Sequence, residues 1–204
     1  MIKTIFFDLD GVLTTDKSGS TTVSKYFSEK SGADFGEIFE YKKQFDADTD
    51  SGKISDFDVW KKTCEKFDVE FSREHLIEAF ESAPIDKKML EYAIQFKTDY
   101  TVGIITDNSV ARVDTIMLKN NWSDIFELVI VSEEAKCTKK GTEIFEISAQ
   151  RANVKPEECI FIDNKQKNVD SAIKAGFYGV YFDDEVRDYD SLFKSIEEII
   201  SSRL

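Results

Sequence analysis

Residues 3–14 read KTIFFDLDGVLT. The run is continuously apolar from Ile5 to Phe7, which marks a strand buried on both faces rather than one with a wet side. It ends in two carboxylates, Asp8 and Asp10, separated by Leu9 and followed by Gly11. Successive strand residues point to opposite faces, so both acids can share one rim only if the chain turns there, and Gly11 permits that turn. Two carboxylates so close repel each other. A hard cation with oxygen ligands, such as Mg²⁺, relieves that repulsion.

Four further runs have the same character: 100–106 (YTVGIIT), 127–132 (ELVIVS), 159–163 (CIFID) and 178–182 (YGVYF). Helical spacing of apolar residues fills the intervals at 86–97, 109–120, 141–153 and 166–175, and 189–200 closes the chain. Strand–helix alternation of this kind predicts an α/β fold: a Rossmann-like parallel sheet with helices on both faces. The alternation breaks once, over residues 15–84, where no strand is expected. Helices are predicted near 20–31, 35–47, 55–67 and 72–82, with Ser55 and Ser72 as N-caps. Such a stretch is too long for a loop in a compact domain. It is expected to form a small all-helical cap inserted after strand 1. The domain reading is therefore 1–14 with 85–204 as the core and 15–84 as the cap, with linkers near 14–20 and 83–86.

Composition narrows the function. The chain has 204 residues with 27 basic and 40 acidic side chains, a net charge of −13, and the acidity is spread over both predicted units. A broad basic face for nucleic-acid phosphates is not expected. No apolar run approaches membrane-spanning length, and the first segment does not read as a signal peptide. The expectation is a cytoplasmic protein without a membrane partner, as a monomer or homodimer. Cys64, Cys137 and Cys159 are scattered and are expected to be reduced thiols. His75 is the one histidine and sits in a predicted helix start. A structural zinc site or a histidine-based triad therefore has little to draw on.

Ligands of open parallel sheets bind beyond the carboxyl ends of the strands. The residues found there are Asp8 and Asp10; Thr106, Asp107 and Asn108; Ser132 and Glu134, with Lys139 and Lys140 shortly after; and Asp163 with Asn164. Acids that gather a cation, with a lysine and a hydroxyl beside them, suit a phosphate oxyanion.

DLDGVLT at 8–14 resembles the first motif of the haloacid dehalogenase-like phosphohydrolase superfamily. IITDN at 104–108 resembles the second motif, SEEAKCTKKGTEIFE at 132–146 the third, and CIFIDNKQKNVDSAIKAG at 159–176 the fourth. They fall in family order over essentially the whole chain. The 15–84 insertion resembles the family's C1 cap, and GKISDFDVW at 52–60 resembles a segment in the caps of its phosphatase branch. The resemblance implies a Mg²⁺-dependent phosphatase acting on a small phosphorylated metabolite through an aspartyl phosphate. Asp8 would be the nucleophile and Asp10 the general acid and then base. Thr106, Asp107, Asn108 and Lys139 would meet the phosphoryl group. Asp8, the Asp10 carbonyl, Asp163 and Asn164 would hold the metal.

Three positions depart from the family pattern: Asn164 where a second acid is usual, Lys140 where proline is frequent, and Asp107 where asparagine is frequent. Asn164 motivates the alternative of a non-catalytic binding or regulatory protein. A phosphomutase is disfavoured because residues 14–30 contain no histidine. Asp10 argues against a dehalogenase, whose first motif lacks the second acid. Lys42, Lys43, Lys53 and Trp60 are candidates by type for choosing the leaving group, but are expected to be ordinary cap surface and core.

Overall fold

A computed structural model describes residues 1–202. Among these residues the sheet has five strands: β1 (Thr4–Phe7), β2 (Thr101–Thr106), β3 (Leu128–Val131), β4 (Cys159–Asp163) and β5 (Tyr178–Tyr181). They pair in parallel in the order β3-β2-β1-β4-β5, with Phe7 beside Ile104 on one side and Ile162 on the other. The central position of β1 brings its carboxyl end between those of β2 and β4. The strand that carries Asp8 is thus flanked by those that end in Thr106 and Asp163.

Eleven α-helices lie among the described residues. The insertion carries α1 (Gly19–Ser31), α2 (Phe35–Lys43), α3 (Asp46–Asp50), α4 (Asp56–Phe67) and α5 (Arg73–Glu81). The rest are α6 (Lys87–Phe96), α7 (Val110–Asn120), α8 (Ser132–Ala135), α9 (Glu143–Arg151), α10 (Gln166–Lys174) and α11 (Tyr189–Ser201). Strand pleating divides the apolar residues between the sheet's two faces. Ile5, Phe7, Ile104 and Ile162 pack with Met89 and Ala93 of α6, Val113 and Ile116 of α7, and Leu192 and Ile196 of α11. Phe6, Ile105, Ile130 and Phe161 pack with Ile144 and Phe145 of α9 and Ala172 of α10. The result is the three-layer, Rossmann-like α/β fold expected from the near-continuous apolar runs.

Residues 15–84 hold no strand, and their helices share a third apolar cluster around Val23, Phe27, Ile38, Trp60, Leu76 and Phe80. The expected helix over 35–47 is in fact two. The Gln44 side chain donates to the Tyr41 carbonyl at 2.6 Å and Phe45 N–H donates to Lys42 O at 2.9 Å. This tightened turn ends α2 at Lys43, and α3 restarts at Asp46. Ser55 caps α4 by accepting from Asp58 N–H at 3.1 Å. At the start of α5 the His75 ring accepts from Ser72 N–H at 3.2 Å and stacks on Phe71, which leaves His75 half-buried.

The two crossings between insertion and core run side by side. Thr14 and Ile85 form an antiparallel bridge, Thr15 N–H donates to Pro84 O and Asp86 N–H donates to Leu13 O. Arg187 secures both crossings, donating to the carbonyls of Gly11 and Thr14 and pairing with Asp86. No helix among the described residues is long and apolar enough to cross a membrane.

Candidate active site

The site begins with the turn that ends β1. Asp8 caps a tight turn over Leu9–Leu13, its Oδ1 accepting from Leu9 N–H at 2.7 Å. Gly11 adopts φ +82°, a conformation that side chains with a Cβ resist. A Cβ there would also lie 2.2 Å from the Asn164 amide nitrogen. Gly11 therefore turns the chain and makes room for Asn164. Asp8 and Asp10 both line one cavity of about 790 Å³ between the strand ends and the helical insertion.

The Lys139 ammonium lies between two carboxylates, 2.6 Å from Asp8 Oδ1 and 2.7 Å from Asp163 Oδ2. All three side chains are almost fully buried. Burial disfavours charge on Lys139, but Asp163 and Asp8 outweigh it and raise its pKa above the usual lysine value. Burial pushes Asp8 up to about 7, against the pull of Lys139. Asp163 is held on every side: Oδ2 also accepts from Asn168 and Oδ1 accepts from Lys165 N–H at 2.7 Å. Asp8 Oδ2, by contrast, accepts no hydrogen bond among the described residues.

Asp10 is gripped differently. Arg112 donates to its two oxygens at 2.8 and 2.9 Å, and Asn108 Nδ2 donates to Oδ2 at 2.9 Å. Thr106 is buried beside Asn108, which donates to its hydroxyl at 3.3 Å. Asp107 takes another part: its carboxylate accepts from Lys139 N–H at 2.9 Å, fixing the loop that carries the lysine. Ser132 Oγ accepts from Asn108 N–H and donates to Asp50 O of the insertion, tying α3 to the rim.

Sequence reasoning missed Arg112, Asn168 and Lys165. Arg112 left a trace, because it shares the apolar stripe of α7 with Val113 and Ile116, where a charge needs a partner. Of the specificity candidates, Lys42 is buried and lines the cavity, whereas Trp60 belongs to the insertion's own core. Lys43 and Lys53 are exposed.

Among the described residues no three His, Cys, Asp or Glu side chains form a metal-binding cluster. The donors present are of another kind. Among the described residues Asn164 Oδ1 is buried without a hydrogen-bond partner, and the bonds of Asp8 fall on Oδ1 rather than Oδ2. Asn164 Oδ1 and Asp8 Oδ2, together with main-chain carbonyl oxygen, are the hard oxygen donors that Mg²⁺ prefers, while Asp163 reaches the same rim with both oxygens already accepting from Lys139, Asn168 and Lys165. The Asp10 carboxylate is committed to Arg112, which leaves its carbonyl for such a role.

The model of the haloacid dehalogenase-like hydrolases matches residues 2–176. The chain belongs to this family. A glyceraldehyde 3-phosphate phosphatase from Pyrococcus furiosus is 32% identical over 87 residues, covering 42% of this chain and 36% of that protein. The matched stretch is thus just over a third of that relative's length. A HAD family enzyme from Bacteroides thetaiotaomicron superposes with a TM-score of 0.72 at 21% identity, over 94% of this chain and 98% of that one. The wild-type form of that enzyme in complex with magnesium and inorganic phosphate superposes at 0.68 with 22% identity, over 89% and 94% of the two chains. The L-2-haloacid dehalogenase from Xanthobacter autotrophicus also superposes at 0.68, with 16% identity, over 89% and 78%. These structural likenesses are of fold: HAD folds carry phosphatases and dehalogenases alike, and the residues at the rim must distinguish them.

Proposed function

We propose that this HAD hydrolase is a Mg²⁺-dependent phosphatase of small phosphate monoesters. The observation that carries the reading is the buried Asp8–Lys139–Asp163 array, in which Asp8 lines the cavity and its Oδ2 accepts no hydrogen bond among the described residues. A carboxylate oriented by a lysine through one oxygen and free at the other is arranged as a nucleophile. The phosphatase relative from Pyrococcus furiosus and the magnesium and phosphate bound to the Bacteroides enzyme agree with it.

In this mechanism Asp8 Oδ2 attacks phosphorus, the ester P–O bond breaks and the alcohol leaves with a proton from Asp10. Water then attacks the aspartyl phosphate at phosphorus, Asp10 takes its proton, and Asp8 and inorganic phosphate are regenerated. Asp8, the Asp10 carbonyl, Asp163 and Asn164 would hold Mg²⁺, which when bound neutralises phosphoryl charge. Lys139 neutralises the same charge from the protein side, and the Thr106 hydroxyl offers phosphoryl oxygens a donor. Both Asp10 oxygens are occupied by donors, so Asp10 must leave Arg112 before it can carry a proton. Residues 15–84 act as a cap domain that shuts water out of the cavity.

Asp8→Asn is expected to abolish Mg²⁺-dependent hydrolysis of p-nitrophenyl phosphate while leaving the circular dichroism spectrum unchanged; full activity would end this mechanism. Asn supplies a dipole where the family usually has a charge, so Asn164→Asp should lower the Mg²⁺ concentration needed for half-maximal rate without loss of turnover. If the wild-type protein turns over no member of a broad phosphate panel, glyceraldehyde 3-phosphate included, at millimolar Mg²⁺, the non-catalytic reading prevails.

A further inference from the structure

Lys42 sits on the last turn of α2, 6% exposed, and lines the same cavity as Asp8. Its ammonium forms no hydrogen bond and no ion pair among the described residues. Asp56 and Asp46 are near enough to favour its charge, yet burial outweighs them and lowers its pKa. Asp46 is held instead by the Ser20 hydroxyl, and Asp56, whose Oδ2 is buried without a hydrogen-bond partner among the described residues, does not pair with the ammonium either. A buried cation without a partner is costly and rarely kept for structure alone.

Two neighbours share its sign. Arg112, which also acts on Lys42 through space, is 2% exposed, and its Nε is buried without an acceptor. The thirteen-residue helix α1 starts against it: a Cβ on Gly19 would lie 3.0 Å from Arg112 Nε, so glycine permits the approach. Ser18, Gly19 and Ser20 line the cavity together with Asp46, Asp50 and Asp56, and the first-turn amides of Gly19 and Ser20 donate to no acceptor among the described residues. The positive end of a helix and an unpaired lysine thus meet one cavity, apart from the Lys139 array that serves the reacting phosphate.

We infer that the cap side of the cavity is a second anion site, built around Lys42 and the α1 N-terminus, that selects phosphate esters whose leaving group carries its own anion. The inference rests on the phosphatase reading and deepens it. Chemically the anion is a carboxylate or a second phosphate, so the substrate class is phosphorylated acids or bisphosphates rather than neutral alcohol phosphates.

Binding tests this without relying on turnover. Calorimetry with Mg²⁺ present compares 3-phosphonopropionate and 4-phosphonobutyrate with propyl- and butylphosphonate, and with propane-1,3-bisphosphonate. A charge-assisted hydrogen bond contributes enough for the wild-type protein to bind at least one dianionic partner about tenfold more tightly than its neutral-tailed match. Preference for the carboxylates identifies a phosphorylated acid, and preference for the bisphosphonate a second phosphate. Lys42→Met should reduce the preference to about threefold or less, and Lys42→Arg should keep most of it. Equal binding of charged and neutral tails by the wild-type protein overturns the site, as does a full preference surviving in Lys42→Met. The kcat/KM ratio of 3-phosphoglycerate to glyceraldehyde 3-phosphate reads a carboxylate preference in turnover, because the two share a carbon skeleton. Selective binding with no hydrolysis of any ester would overturn the phosphatase reading and leave the anion site standing. Hydrolysis without selectivity would do the reverse.

Discussion

Lys139 does for the folded protein what it is proposed to do for the reaction: it keeps two buried carboxylates, Asp8 and Asp163, from facing each other unneutralised. Replacing it with methionine leaves both acids buried without their cation. Removing one partner from a buried charge array costs about 3–5 kcal/mol, so Lys139→Met should lower the denaturant midpoint strongly as well as abolish hydrolysis; an unchanged midpoint would show that the array adds nothing to stability. Asp50 gives a pH signature. Burial, reinforced by Asp107, Asp46 and Asp10, raises its pKa from 3.8 to about 7. The folded state then holds a proton that the unfolded chain releases near pH 4, so stability falls as pH rises from about 4 through 7. Asp50→Asn should therefore raise Tm at pH 8 and give little gain at pH 4, and an equal gain at both would sink this account. Asp8, Asp10, Thr106, Asp163 and Asn164 could be named from strand ends, because a parallel sheet delivers those positions to one rim, and Lys139 from its spacing to Ile144 and Phe145 in the stretch that resembles the family's third motif. The grip of Arg112 on Asp10 could not. It joins α7 to the turn after β1 across 102 residues of sequence, and only the place of Arg112 in the apolar stripe of α7 hints at it.

At the level of elements, the five strands were legible because burial on both faces leaves near-continuous apolar runs. Each observed strand lies within its expected segment. The helical insertion was legible from its length and its lack of strand pattern. The break between α2 and α3 was not, since it depends on Gln44 folding back on Tyr41 rather than on glycine or proline. That break aims α3 at the rim, where Asp50 O meets Ser132. The crossings between insertion and core are held by one side chain from beyond β5. Arg187 donates to Gly11 O and Thr14 O and pairs with Asp86, whose Oδ2 also accepts from Tyr189 at 2.6 Å. Arg187→Ala leaves a buried carboxylate short of its cation and two carbonyls short of donors. A loss of about 1–3 kcal/mol follows, with faster amide hydrogen exchange at residues 14, 15 and 86. Unchanged exchange there would mean that the crossings hold without the arginine.

For the molecule as a whole, the decisive division is between a sheet that carries the strand-end carboxylates and a helical unit with its own apolar cluster. The seam between them includes the Ser132–Asp50 hydrogen bond, the approaches of Gly19 to Arg112 and of Gly52 to Glu133, the packing of α5 on α7, and the exposed ion pairs Lys119–Glu81 at 3.0 Å and Lys17–Glu185 at 2.6 Å. Exposed pairs of that kind contribute little. The unit should rotate as a body about residues 14–20 and 83–86 when a phosphate analogue binds. Crystals with and without orthovanadate check this, and an unmoved unit in both would refute gating. The antiparallel bridge between Thr14 and Ile85 reaches further still. Because the ends of the insertion are hydrogen-bonded neighbours, the sheet meets residues 15–84 as a closed loop. Closure entropy grows only logarithmically, by about 0.6 kcal/mol for each doubling of loop length. The insertion is therefore an exchangeable cassette: a lineage, or an engineer, can replace its contents between residues 14 and 85 and keep the strand-end carboxylates and Lys139, provided the new contents again meet Ser132 and Arg112.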